Sequence, residues 1–187
     1  MSTTRSRIVC FSTAALLCAA PVFAQDMPQG AAGCHGAAGS QAATSAADKK
    51  FVMKAMQGSM AEIQLGQLAT QKASSQEVKD FGQKMVDDHT KLSDQMKPVA
   101  TDLGVTPPSE VSAKDQAVIA RLQGLSGTEF DKAYIRAMVL DHRTDDKEFK
   151  AEEMSGKNPQ VKDAATQGEP VIAMHLQMAT DLAKKMK

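Results

Sequence analysis

Met85-Val86-Asp87-Asp88-His89 returns fifty-three positions later as Met138-Val139-Leu140-Asp141-His142, so the pattern Met-Val-x-Asp-His stands twice in one short chain. A repeated histidine inside helical sequence predicts a bundle of two similar hairpins, each turning a ligand-type side chain toward a common interior. The surrounding residues decide whether the histidines face inward. Through the first pentad, Val78, Phe81, Met85, His89, Leu92, Met96, Val99 and Leu103 follow at steps of three and four, which places His89 in an apolar seam.

The same test applied along the chain finds three more seams. Phe51, Ala55, Gly58, Glu62, Leu65 and Ala69 turn a carboxylate inward, and Ile135, Met138, His142, Asp145 and Phe149 form a weaker stripe around the second pentad. Val161, Ala165, Gly168, Ile172, His175, Ala179, Leu182 and Met186 place His175 in the fourth.

Helix boundaries follow from capping chemistry. Ser45-x-x-Asp48 opens a first helix over roughly residues 48 to 73. Ser74-x-x-Glu77 reads as a capping box for a second, which stops at Gly104 and is expected to kink at Pro98. Residues 105 to 127, with Pro107-Pro108 and a short amphipathic stretch over 114 to 122, form a crossover. Ser126-x-x-Glu129 reads as a capping box for the next helix, ended by Gly156, and Asn158-Pro159 opens the last, which Gly168 and Pro170 should bend or split. The predicted fold is all-α: a four-helix bundle of two antiparallel hairpins joined by a long crossover that contains a short helix.

Across a tight antiparallel hairpin, residues equidistant from the turn lie level. Glu62 and His89 are equidistant from the first turn, and His142 and His175 from the second, each at roughly 20 to 25 Å by the helical rise. Stacking the hairpins in register brings all four side chains into one layer. Three imidazoles and one carboxylate suit a single zinc, iron or manganese ion. Met85, Met138 and Met178 offer thioether sulfur and make copper(I) the less favoured alternative. The competing reading is a metal-free polar layer, in which Glu62 and the histidines satisfy one another; each buried group left unpaired there costs about 1 to 3 kcal/mol. Asp88 and Asp141 lie about 100° around the helix from their histidines and are expected on solvated faces.

From Phe51 to Lys187 the chain resembles the bacterial envelope family called domain of unknown function 4142. The resemblance is carried by Ala61-Glu62, Met85-Val86-Asp87-Asp88-His89-Thr90, Tyr134 with Asp141-His142, and Glu169-Pro170 followed by His175-Leu176. It implies an exported, ferritin-like helical bundle and supplies no activity. A ferritin-like di-iron centre needs Glu-x-x-His on two helices, whereas Val86, Val139 and Ile172 stand three residues before the histidines here. Ferroxidase chemistry therefore has no basis.

Residues 1 to 24 read as a secretory signal: Arg5 and Arg7 precede an apolar run from Ile8 to Ala20, and Val22-Phe23-Ala24 ends in small-residue cleavage chemistry. Leu17 before Cys18 argues against lipidation, and the run is too short for a stable anchor. The expected destination is the periplasm or the exterior, without a transmembrane anchor. Of the 187 residues, 163 remain, with 20 basic against 22 acidic side chains, a balance that argues against a nucleic-acid partner. Residues 25 to 47, rich in Gly, Ala, Ser and Gln, are expected to form a disordered tether ahead of a single domain over 48 to 187. Cys34, beside His35 in that tether, is the one cysteine left and has no disulfide partner.

No nucleophile with a base, phosphate loop or dinucleotide fingerprint is present, so an enzyme reading has little support. Three classes stay open: a metal-binding envelope bundle, a metal-free interaction or stress-protective bundle, and a metalloenzyme with an open coordination position.

Overall fold

The computed structural model describes residues 44–186. The signal segment, most of the expected tether, Cys34 and His35 lie outside the described residues. Within them the chain forms five α-helices and no strand: α1 Ala46–Lys72, α2 Gln76–Asp102, α3 Ala113–Gln123, α4 Gly127–Ser155 and α5 Pro159–Lys185.

Each helix start shows what local chemistry achieves and where a neighbour takes over. Ser45 and Asp48 make the expected capping box, with Asp48 N–H donating to Ser45 Oγ at 3.1 Å and Ser45 N–H to Asp48 Oδ2 at 2.6 Å. The helix begins at Ala46, two residues ahead of expectation. Asp48 Oδ1 also accepts the Lys157 N–H at 2.9 Å, tying the start of α1 to the turn before α5. Burial opposes its charge, but those backbone hydrogen bonds prevail and hold its carboxyl at about 2. Asn158 caps α5 as expected, accepting from Gln160 N–H and Val161 N–H.

The Ser74 and Ser126 boxes do not form. Ser75 is the N-cap of α2 and Ser126 that of α4, and neither side chain accepts a capping hydrogen bond. Asp131 reaches over from α4 instead: its carboxylate accepts Ser74 N–H at 3.0 Å, Ser75 N–H at 2.9 Å and Ser74 Oγ–H at 2.6 Å. Asp131 thus takes the Ser74 N–H that the Glu77 side chain was expected to accept, and draws the Ser74 hydroxyl into donating to it rather than capping.

Pro98 and Pro170 are both accommodated inside unbroken helices. Of the bend or split expected in α5, the split does not occur. Gly168 is a point of close approach rather than a breaker: a Cβ there would lie 2.5 Å from Cε1 of Phe149 on α4. Gly104, by contrast, is the expected stop, in the left-handed region at φ +64°.

Helix α1 packs along α2 across the short link 73–75, and α4 along α5 across 156–158; α2 meets α5, α1 meets α4, and α3 lies on α1 and α4. A Cβ at Gly66 would stand 2.6 Å from the Gly82 carbonyl oxygen, so this glycine pair lets the backbones of α1 and α2 approach. The apolar interior falls into two clusters. One gathers Leu65, Phe81, Met85, Phe130, Tyr134, Met138 and Leu182, and the other Phe51, Met56, Met96, Phe149, Val161 and Ile172. Burying each large side chain contributes about 1.5 to 3 kcal/mol. Along every long helix the residue between the two clusters is polar: Glu62, His89, His142 or His175.

Candidate metal centre

The seam periodicity that buries the apolar residues also buries these four, at 1% exposure or less. They come from different helices and meet in one layer. The ring centroids of His89, His142 and His175 are 5.2 to 5.7 Å apart, and one ring nitrogen of each lies within 4.8 Å of the others. Glu62 Oε2 is 2.9 Å from His89 Nδ1, and Glu62 Oε1 is 3.3 Å from His142 Nδ1.

The surroundings fix the tautomers of two rings. His142 Nδ1 is 3.2 Å from the Met138 carbonyl oxygen, which can only accept, so this nitrogen carries the proton and Nε2 has a bare lone pair. His175 Nε2 is 3.0 Å from Asp88 Oδ2. Partial burial works against the Asp88 charge, but Lys84 at 2.9 Å and His175 itself hold the carboxyl below its usual range. An ionised carboxylate accepts, so His175 donates from Nε2 and its Nδ1 is bare. Those two bare nitrogens, His142 Nε2 and His175 Nδ1, face each other at 3.4 Å. His89 follows Glu62: when the carboxylate is ionised, His89 donates to it from Nδ1 and presents a third lone pair on Nε2, which has no hydrogen-bond partner.

Burial pushes all three imidazoles down to about 4, so they are uncharged near neutral pH and free to donate electron pairs. Burial also pushes Glu62 up to about 8, against the pull of His142. A bound cation would reverse that balance by favouring the carboxylate.

Two residues expected on solvated faces belong to the layer's surroundings. Asp88 is half-buried against His175 of α5, and Asp141 against Lys114 of α3, 3.2 Å away. The angle around one helix says where a side chain points, but not which neighbouring helix arrives there. Asp145, read only as a seam residue, lies with Asp141 and Glu62 so that one oxygen of each is within 4.8 Å of the others. Burial, reinforced by Glu62 and Asp141, pushes its carboxyl up to about 9. The signal in the sequence is the i, i+3 pair His142-x-x-Asp145, on the opposite side of the histidine from Val139, where a di-iron motif would carry glutamate. Ser59, 3.4 Å from His89 Nδ1, gave no comparable signal. Met85 and Met138 pack in the apolar cluster with Leu65, Phe81 and Tyr134.

The sequence profile described as Domain of unknown function (DUF4142) matches residues 34–182, and the chain belongs to that family. No curated protein matches it. Its fold is similar to the crystal structure of a DUF305 fragment from Deinococcus radiodurans, with a TM-score of 0.67 and 14% identity over 76% of this chain and 98% of that one. A DUF305 protein from Streptomyces coelicolor, assigned as secreted, aligns with a TM-score of 0.64 and 13% identity over 75% of this chain and 93% of its own. At these identities the likeness concerns the fold. No helix among the described residues is long and apolar enough to cross a membrane.

Proposed function

We propose that this protein is a metal-binding bundle of the cell envelope, holding one divalent transition-metal ion on the bare nitrogens of His89, His142 and His175 with Glu62 beside them. The observation that carries the reading is the 3.4 Å separation of His142 Nε2 and His175 Nδ1. Two lone pairs repel at that distance. Nitrogens bonded at 2.0 to 2.1 Å to one tetrahedral ion stand about 3.3 Å apart, so the pair already has the spacing of two such ligands. His89 supplies the third nitrogen, one ring nitrogen of each histidine lying within 4.8 Å of the others. Each ring's other nitrogen is engaged, by Glu62, by the Met138 carbonyl and by Asp88, which is the support that orients metal-ligating imidazoles.

The metal-free polar layer fits less well, because the layer does not satisfy itself: Glu62 Oε1 and His89 Nε2 are both buried without hydrogen-bond partners. Imidazole and carboxylate donors favour zinc, iron or manganese over copper(I). What such a centre supplies is binding of the ion; no group here argues for turnover. The wider reading keeps residues 1–24 as a cleaved signal, 25–47 as a tether and 48–187 as a ferritin-like bundle of two crossover-linked hairpins. The packing of α1 on α2 and α4 on α5 supports the hairpins, and the secreted assignment of the Streptomyces relative supports export.

Metal analysis of untagged protein recovered from the periplasm without chelator tests this directly. The expected content is about one transition-metal ion per chain. Protein that carries none, and takes up none after stripping and incubation with zinc, iron or manganese, would overturn the proposal.

A further inference from the structure

Glu62 Oε2 is engaged with His89, whereas Oε1, 3.3 Å from His142 Nδ1, is buried and makes no hydrogen bond of good geometry. Near Glu62 stand Asp141 and Asp145 of α4, and one oxygen of each of the three carboxyl groups lies within 4.8 Å of the others. A cavity of about 20 Å³ lies among the four long helices, lined by Lys54, Ser59, Glu62, His89, Asp145 and Glu148 among others. That is room for a single water or ion.

From this arrangement we propose a second cation position made of oxygen alone, bounded by Glu62, Asp141 and Asp145, with Glu62 bridging it to the histidine position. The inference rests on the histidine centre proposed above. The two positions differ in donor chemistry. Three imidazoles select a borderline transition metal, whereas three carboxyl groups offer hard oxygen donors suited to Mn²⁺, Mg²⁺ or Ca²⁺. Two basic side chains border the carboxylates: Lys114 on α3, ion-paired to Asp141 with its own side chain 72% exposed, and Lys54 on α1, which lines the cavity and is ion-paired to Glu148. Each already has a carboxylate partner and is open to solvent, so neither is a strong counter-charge for buried Glu62. Because His142 and Asp145 are one turn apart on the same face of α4, a single helix carries ligands for both positions, and Glu62 joins them.

The test loads stripped protein with one equivalent of Zn²⁺ and then titrates Mn²⁺, following heat and the Mn²⁺ paramagnetic resonance signal. The expected result is one further equivalent of Mn²⁺ per chain, weakened at least tenfold in D141N/D145N, which keeps its Zn²⁺ equivalent. Zn²⁺ binding with no Mn²⁺ uptake overturns the second position and leaves the histidine centre standing. No Zn²⁺ binding overturns the histidine centre, and this inference with it. Mn²⁺ uptake of undiminished affinity in the double variant overturns the assignment, because the ion then sits elsewhere. Should that variant lose its helical circular dichroism, the wild-type Mn²⁺ stoichiometry and the single D145N variant decide in the same way.

Discussion

His142 Nε2 and His175 Nδ1 face each other across 3.4 Å, while the other nitrogen of each ring is directed to the Met138 carbonyl and to Asp88. With the N–H groups so directed, two lone pairs meet unless a proton or a metal ion comes between them. The helices hold it in place through the apolar clusters on either side, so the layer cannot relax by letting one ring swing out to solvent.

Asp88 is therefore expected to position His175 rather than to bind the ion. In D88A the imidazole loses its Nε2–H acceptor, and Zn²⁺ affinity, measured by competition with a chromophoric chelator, should fall about 10- to 100-fold. D88N, which keeps an acceptor oxygen, should recover part of that loss. Equal affinity in wild type and D88A would remove Asp88 from the account.

Metal uptake should release a proton from Glu62. Its carboxyl lies near 8 in the fold without a cation, so below that pH the proton must leave for the anion to face the ion. Affinity should then rise by up to tenfold per pH unit as pH increases toward 8 and level off above it. Calorimetry at pH 7 in buffers of different ionisation enthalpy should report about one proton released in the wild type and none in E62Q. An affinity flat between pH 7 and 9 in the wild type would contradict the coupling.

Asp131 is expected to matter more to stability than the serines that resemble local caps. Its carboxylate takes three hydrogen bonds at the α1–α2 turn, so D131A should cost about 2 to 4 kcal/mol in denaturant unfolding while leaving metal uptake unchanged. S126A, which removes a hydroxyl that makes no capping bond, should change stability by less than about 0.5 kcal/mol.

What could be read ahead of the fold was whatever depends on one helix at a time. The three-four spacing of Val78, Phe81, Met85 and His89, and of Ile172, His175 and Ala179, is a property of the local period, and the structure buries all of these residues. Distance from the turn set the level of Glu62 against His89 for the same reason, since a short link fixes the register of its hairpin. Features decided between helices were not legible. Asp131 captures the Ser74 N–H that Glu77 was expected to cap, Phe149 packs against Gly168 where a bend or split was expected, and His175 reaches Asp88 on a face that read as solvated. Asp145 stood between these cases: its spacing from His142 was visible, but only the arrival of α1 with Glu62 gives it a partner group.

The central claim is that an ion belongs in the histidine layer, and thermal unfolding with and without Zn²⁺ tests it most directly. A hundredfold excess of free Zn²⁺ over its dissociation constant should stabilise the native state by about 2.7 kcal/mol, raising the midpoint of a domain this size by roughly 9 °C. The same addition to the H89L/H175L variant should leave its midpoint unmoved. A wild-type midpoint indifferent to Zn²⁺, Fe²⁺ and Mn²⁺, or a shift that persists undiminished in the double variant, would contradict the account.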